Sequence, residues 1–183
     1  MNYDTVAVFN TNGFAATLVQ SNNTVNLNFT NSVPTDIALS SSSIDENIVT
    51  GTTIGALSST DADAGDIHNY SLISGTGDTD NGSFTVSGTS LLTATALDFE
   101  VKSSYAIRLE TSDGSATYSK TLTITVNDVN ETPTDIDLSA TTVDENLTSG
   151  TIVGGLTTTD VDSGDTFTYT LVDGVGSDDN ASF

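Results

Sequence analysis

The sequence predicts an all-β protein built from tandem antiparallel β-sandwiches of Greek-key topology, and two observations carry this prediction. Apolar and polar residues alternate in short runs, as at Tyr105, Ile107 and Leu109 and again over residues 122–126, which is the period of a strand with one buried face. Clusters of Gly, Asp and Asn such as DADAGD and TSDGS separate these runs and indicate turns. Short strands with frequent turns over about 100 residues are typical of a sandwich of roughly seven strands.

The first 32 residues contain VAVF, NG and VNLNF, in the order strand, turn, strand. They do not align with the rest of the chain, and we expect residues 1–32 to be the β-rich tail of a preceding domain. The opening MNYDTVAVFN has neither the basic nor the apolar segment of a cleavable export signal. The protein is therefore expected to be either intracellular or part of a longer chain.

An internal repeat defines the remaining organisation. Residues 34–84 align without a gap on residues 133–183, about 100 residues further on, and about half of the aligned residues are identical. We expect residues 33–132 to form one complete repeat and residues 133–183 to form the first half of a second. This arrangement favours the interpretation that the chain is a piece of a longer protein. Half a sandwich lacks the facing sheet for its apolar residues, so residues 133–183 alone should be unstable or aggregate.

The charge of the chain restricts the classes of partner that it can bind. Of 183 residues, 25 are acidic and three are basic, which gives a net charge of −22, and Cys and Trp are absent. A polyanion is repelled by nucleic acid and by anionic membrane surfaces, so a cation is the natural counterpart. Such a composition is also compatible with disorder, but the spaced charges and periodic apolar residues favour folded domains. No apolar run is long enough to span a bilayer.

Acidic residues recur in pairs separated by one residue. The pairs are Asp61/Asp63 in DAD, Asp98/Glu100 in LDFE, Asp160/Asp162 in DVD, and the mixed pair Asp128/Asn130 in DVN. In an extended backbone, residues two apart point to the same side, so each pair presents its oxygens in one direction. Many carboxylates without a Cys or His cluster match Ca²⁺, which takes about six to eight oxygen ligands, better than zinc or copper.

The order of these motifs resembles tandem cadherin-type repeats of large bacterial surface proteins. The matching segments are IDEN and VDEN, DAD and DVD, LDFE, TSDG and DVNETP, and the resemblance covers residues 34–183. It implies an immunoglobulin-like sandwich with calcium at the junction between repeats. The ligands it implies are Glu46, Asp98, Glu100, Asn130, Glu131, Asp160 and Asp162, with Asp128 opening the linker. The linker reads DVNET where the family has DxNDN, so Glu131 replaces an Asp and Thr132 an Asn.

The resemblance also implies a half-site at the start of the complete repeat. It would use Asp61, Asp63 and Asp113, and Glu145 is the counterpart of Glu46 in the second repeat. The preceding linker, NFTNSVPT, has no acidic residue. We therefore expect this site to be weak or empty.

Other motifs are explained better by structural roles than by metal binding or catalysis. Asp45 and Asp144 are expected to be turn or cap residues, and GDTDNG, residues 77–82, to be a hairpin turn rather than a calcium loop, because it lacks the final EF-hand ligand. His68 is replaced by Phe167 in the second repeat, which indicates a packing position. A single His leaves little from which to build a catalytic triad, and paired carboxylates at a repeat boundary do not suggest a glycosidase cleft.

Taken with the resemblance, these features predict a non-enzymatic, calcium-binding segment of an extracellular adhesin or stalk, exported or membrane-anchored through other parts of a larger protein. Calcium, adjacent repeats of the same chain, and like molecules or a surface ligand are the expected partners, with homophilic cell adhesion as a further implication. An alternative is that the repeats are spacers in a secreted hydrolase. A carbohydrate-binding module would need exposed aromatic residues, and the chain has no Trp and few Tyr.

Overall fold

The structure is a computed structural model that describes residues 7–11, 14–21 and 24–183, with side chains from residue 30 onward. The chain divides into two compact units, Met1–Val129 and Asn130–Phe183. Regular structure in the described residues consists of β-strands and two short 3-10 turns, Asn81–Ser83 and Asn180–Ser182. In this part of the chain, none of the helical segments has the length and hydropathy that crossing a bilayer requires.

The described residues of the first unit contain eleven strands. They are β1 (Ala7–Thr11), β2 (Phe14–Ser21), β3 (Thr24–Thr30), β4 (Asp36–Leu39), β5 (Ser43–Asp45), β6 (Thr53–Thr60), β7 (Asn69–Leu72), β8 (Phe84–Ser87), β9 (Ser90–Thr93), β10 (Ser104–Ser112) and β11 (Thr117–Asn127).

Strands β1, β2 and β3 form an antiparallel three-stranded sheet. The prediction that residues 1–32 are the tail of a preceding domain falls in part on residues 1–6, 12, 13, 22 and 23, which lie outside the described residues. It stays a prediction, as do the repeat boundaries at 33–132 and 133–183.

The next eight strands form two four-stranded sheets, ordered β5-β11-β10-β7 and β4-β6-β9-β8. The longest ladder joins β10 and β11, where Tyr105 pairs with Ile124 and Ile107 with Leu122. The predicted all-β sandwich is confirmed, with one difference from a purely antiparallel arrangement: β5 runs parallel to β11, with Ser43 opposite Thr125. Between β4 and β5 the chain passes from one sheet to the other, where its neighbour β11 runs in the same direction as β5.

Buried side chains from both sheets form a single core. Ile37 and Leu91 from one sheet and Ile107 and Ile124 from the other are each 0% exposed. They occupy alternate positions along their strands, so the opposite face of each strand can remain polar. At about 25 cal/mol per Å² of apolar surface, burial of side chains of this size is the main stabilising term of the sandwich.

The second unit contains two strands in the described residues, β12 (Asp135–Leu138) and β13 (Leu156–Thr159), which pair antiparallel. Ile136 is 60% exposed, whereas Ile37, its equivalent in the first repeat, is 0% exposed. Leu156 is 45% exposed and its equivalent Leu57 only 4%. The same apolar pattern is therefore present in both units, but the core is assembled in the first.

The segment predicted to be a hairpin turn at residues 77–82 is a connection between sheets, and that prediction was wrong. Strand β7 before it pairs with β10, while β8 after it pairs with β9. The loop is held by Asp80, whose carboxylate accepts hydrogen bonds from Lys102 Nζ at 2.5 Å and from the Ala106 amide at 2.7 Å. The TSDGS segment does form the expected turn, which joins β10 and β11.

Candidate metal sites

The first acidic cluster lies in the first unit, at the end of β11. Glu46, Glu100 and Asp128 each place a carboxylate oxygen within 4.8 Å of the other two. Glu46 follows β5, Glu100 lies between β9 and β10, and Asp128 directly follows β11. Because β5 runs beside the end of β11, it carries Glu46 to the segment that begins with Asp128.

Glu46 is the buried member of this cluster, with 3% of the residue exposed. Its Oε2 accepts a hydrogen bond from the Phe99 amide at 2.7 Å, and its Oε1 accepts one from the Val129 amide at 2.9 Å. These backbone donors, Phe99 first, hold the pKa of Glu46 below its ordinary value. Glu46 therefore links the LDFE segment to the start of the linker through hydrogen bonds. The sequence did not indicate that Glu46 positions these two segments.

The residue after Glu46 accounts for the recurring DEN motif. Asn47 has a φ of 56° and Asn146, its equivalent in the second repeat, a φ of 62°. Among residues other than Gly, Asn tolerates this left-handed conformation best. The chain turns sharply here, directly after the buried carboxylate of Glu46.

Asp98, the other acidic residue of LDFE, has a local role in the structure. Its Oδ1 accepts a hydrogen bond from the Val101 amide at 2.9 Å, and its carbonyl accepts one from the Lys102 amide. This is the pattern of an Asp that closes a turn. The structure thus brings Glu100 into the cluster, while Asp98 shapes the turn that presents it. Asp45, which was expected to be a turn or cap residue, is the last residue of β5 and accepts a hydrogen bond from Asn127 Nδ2.

A second cluster lies in the second unit. Asp160, Asp162 and Asp165 bring carboxylate oxygens within 4.8 Å of one another. The Glu131 amide donates to Asp162 Oδ2 at 2.7 Å, and Asn130 Nδ2 donates to the Glu131 carbonyl at 2.6 Å. The linker residues of this unit and its DVD pair are therefore joined directly. Glu145 is exposed and belongs to none of the acidic groups found in the described residues.

A third cluster forms in the first unit from Asp61, Asp66 and Asp113, again with oxygens within 4.8 Å. Asp113 is the Asp of the β10–β11 hairpin; its Oδ1 accepts hydrogen bonds from the Ser115 and Ala116 amides, both at 2.7 Å. Asn31 Nδ2 donates to its Oδ2 at 2.9 Å. These donors, led by Asn31, lower the pKa of Asp113.

His68 adjoins this third cluster, and the prediction of a simple packing position for it was incomplete. Its Nε2 lies 3.3 Å from Asp61 Oδ2, and its side chain is 14% exposed. Asp61 is itself almost buried, with 3% of its side chain exposed. The substitution by Phe167 in the second repeat gave no indication of this contact.

Two of the clustered residues, Asp66 and Asp165, were not among the predicted ligands. Each follows a Gly and stands five positions after the first Asp of its DxD pair, in DADAGD and DVDSGD. Their recurrence at the same place in both repeats was the available signal. Residues two apart share a side only where the chain is extended. Here a turn at residues 62–65 and at 161–164 returns the backbone to the pair, so the spacing of the pairs did not predict Asp66 and Asp165.

The donor set of these clusters fits Ca²⁺, a hard cation that prefers oxygen ligands. Buried carboxylate oxygens in the described residues that accept no hydrogen bond include Asp63 Oδ1, Asp66 Oδ2, Asp160 Oδ2 and Asp162 Oδ1. A buried carboxylate oxygen is costly unless something compensates its charge. A bound cation would supply that compensation.

Comparisons with known proteins agree with this architecture. A family model described as the cadherin domain matches residues 40–127. A structure of the protocadherin gammaB7 EC3-6 cis-dimer is 26% identical, with a TM-score of 0.53, over 71% of this chain and 32% of that chain. Human protocadherin-24 EC1-2 is 20% identical, with a TM-score of 0.55, over 69% and 60%. The human desmocollin-1 ectodomain is 19% identical, with a TM-score of 0.52, over 84% and 33%.

Two of these three likenesses lie below 25% identity and show the fold alone. The chain covers less than two thirds of each of the three chains, from 32% to 60% of their length. No curated protein matches the sequence. The family model and the structural neighbours nevertheless agree with each other, and residues 40–127 form a cadherin-like domain.

Proposed function

We propose that this chain is a segment of an extracellular adhesion or stalk protein in which Ca²⁺ joins successive cadherin-like repeats. The observation that carries the proposal is Glu46, whose buried carboxylate holds Phe99 and Val129 and so places Glu100 and Asp128 beside each other. The likeness to cadherin ectodomains supports an extracellular, non-enzymatic role.

The first unit would supply Glu46, Glu100 and Asp128, and the second Asn130, Glu131, Asp160 and Asp162. Asp98 would act by shaping the turn that presents Glu100. Without a cation, carboxylates brought to one site from the two units would repel each other, because gathering like charges is costly even in a partly solvated site. With Ca²⁺ bound, ligands from both units share one ion, and the linker becomes stiff.

The calcium affinity of such a site determines in which compartment it is occupied. Extracellular calcium modules commonly have dissociation constants of about 10⁻⁴–10⁻³ M. Sites of this strength are filled outside the cell and empty at cytosolic calcium levels. Adhesion between like molecules or to a surface ligand would then depend on calcium through the stiffness of the repeats.

A calorimetric Ca²⁺ titration of the chain and three variants tests the shared ion. Glu100→Gln alters the first unit, Asp160→Asn alters the second, and Asp137→Asn is a control with an equal charge change at an exposed position of β12. We expect the two site variants to lose the same binding event and the control to keep it.

Small-angle scattering of the same samples provides an independent readout. Calcium should reduce the conformational spread of the parent chain and of Asp137→Asn, and leave that of the two site variants unchanged. If Glu100→Gln and Asp160→Asn each remove a different event, or neither removes one, then no ion is shared between the units and the proposal fails.

A further inference from the structure

The second unit exposes apolar residues whose counterparts form the core of the first. Ile136, Val143 and Leu156 are 60%, 54% and 45% exposed. Their counterparts in the first repeat belong to the buried core and are at most 9% exposed. Ile136 and Leu156 also line a groove of about 450 Å³ together with residues 168–172. These residues and Val143 are together termed the open face, and an exposed apolar patch of this kind marks an interaction surface.

The first unit shows which elements cover such a face. There, β5 and β7 flank the pair β11–β10 in one sheet, and Ile124 and Val126 of β11 are 0% and 1% exposed in the core. Residues 142–144 and 168–171 are the counterparts of β5 and β7, and they form no strand in the structure. The open face therefore lacks a partner strand of the β11 type.

Strand β3 has the position and the sequence pattern of such a strand. Residues 1–32 do not align with the repeat as a whole, but β3 stands at the same distance before a PTDI segment as the end of β11 does. By this spacing, Val25 and Leu27 correspond to Ile124 and Val126 of β11. The apolar positions of β3 are thus those that face the core when the strand belongs to a sandwich.

The sheet formed by β1, β2 and β3 has one apolar face. Two rows of residues stand side by side across it, namely Phe9, Ala16 and Phe29, and Ala7, Leu18 and Leu27. Because alternate positions of a strand share a face, these six positions lie on one face of the sheet, whereas the opposite face of β3 carries only Thr and Asn. In the described residues, the main contacts of the three strands are with one another. Such an amphipathic sheet is a layer suited to pack against another layer.

The distribution of charge favours this sheet as the layer that covers the open face. Residues 133–183 contain ten of the 25 acidic residues and no basic residue, so the open faces of two copies repel each other. Residues 1–32 contain a single acidic residue, Asp4. The N-terminal sheet of another copy can therefore approach the open face with little electrostatic cost.

We propose that copies of this chain associate head-to-tail, with the β1-β2-β3 sheet of one copy covering the open face of the next. In this arrangement β3 runs parallel to residues 142–144, which places Leu27 beside Val143. This is the pairing that Val126 makes with Ile44 in the first unit. The contact joins two different surfaces, so each copy both donates and accepts, and the assembly grows by addition of further copies. It uses no carboxylate and does not rest on the calcium junction.

Sedimentation velocity of the chain and three variants tests this association. Leu27→Asp alters the donating sheet, Val143→Asp alters the open face, and Ile152→Asp is the control with the same charge change. Ile152 is 86% exposed and its counterpart Thr53 is exposed as well, so the control lies outside the open face. The average mass of the parent and of Ile152→Asp should rise with concentration beyond that of two chains, by mass action. Leu27→Asp and Val143→Asp should each stay at the mass of one chain.

An equimolar mixture of Leu27→Asp and Val143→Asp separates this contact from other modes of association. The mixture offers one intact sheet, on Val143→Asp, and one intact open face, on Leu27→Asp. It should therefore reach the mass of two chains and no more, even if a substitution unfolds the segment that carries it. A mixture that stays at the mass of one chain overturns the proposal. So does a parent that never exceeds one chain, or a Leu27→Asp that still associates, which would show that open faces pair with each other.

Hydrogen exchange locates the contact along the chain. In the parent, the amides of residues 142–144 should exchange more slowly at high concentration than at low, and in Leu27→Asp their exchange should not depend on concentration. A rise in mass without this protection would contradict the proposed pairing. Both measurements are made in chelator and in calcium, and the association should be the same in the two. Association that requires calcium would overturn this proposal and leave the calcium junction standing, so the two proposals fail separately.

Discussion

Ile37 and Ile136 occupy equivalent positions in the two repeats, and truncating each to Ala tests how the two units are packed. Ile37 is fully buried, at 0% exposed, in the core that both sheets of the first unit share. Removing a buried Ile side chain to Ala costs about 2–5 kcal/mol, from lost burial and the cavity that remains. Ile136 is 60% exposed, so Ile136→Ala should change stability by about 0.5 kcal/mol or less.

The assay is thermal unfolding followed by tyrosine fluorescence, since Tyr105 lies in the same core as Ile37. For a domain of this size, 1 kcal/mol shifts the midpoint by about 4–8 °C, so Ile37→Ala should lower it by at least about 8 °C. Ile37→Val, which keeps most of the volume, should cost about 0.5–1.5 kcal/mol. Equal shifts for Ile37→Ala and Ile136→Ala would refute the packing described for the first unit.

Two further predictions concern the turn that carries the first cluster. The pKa of Glu46 is lowered in the folded protein, so its contribution to stability is present above its ordinary pKa of 4.5 and is lost as the pH falls through the lower pKa of the folded state. In chelator, the stability of Glu46→Gln should therefore fall less steeply than that of the parent between about pH 5 and 3. Parallel curves of stability against pH for the two proteins would contradict this. Asn47 has a φ of 56°, so Asn47→Val should lower the free energy of unfolding by about 1–2 kcal/mol and Asn47→Gly by a few tenths of a kcal/mol or less. Equal denaturation midpoints for the two variants would show that the left-handed conformation is not the reason for Asn at this position.

Most of the sandwich could be predicted because its signals are local. The alternation at Tyr105, Ile107 and Leu109 marks one buried face of a strand, and these three residues are 9%, 0% and 0% exposed. The Asp and Gly of TSDGS likewise favour a turn whatever surrounds them. Such features depend on backbone and side-chain preferences within a few residues, so a single sequence is enough to reveal them.

Other features depend on contacts between distant residues and could not be predicted in the same way. The parallel pairing of β5 with β11 joins segments separated by most of the repeat, and nothing in SID or TVN specifies it. Glu46 was expected as a ligand from its motif, but its hydrogen bonds to Phe99 and Val129 follow from that pairing. The prediction of a hairpin at residues 77–82 was wrong for the same reason, since turn residues do not indicate which sheet the following strand joins.

The parallel pairing of β5 with β11 also has a mechanical consequence. Tension applied to the two ends of the repeat would pull β5 from its N-terminal side and β11 from its C-terminal side, so the two strands would be sheared past each other. In that geometry the bonds from Thr125 to Ser42, from Glu46 to Asn127 and from Val129 to Glu46 carry the load together instead of opening one at a time. The contact that positions the acidic cluster is thus also where the domain would resist being pulled apart.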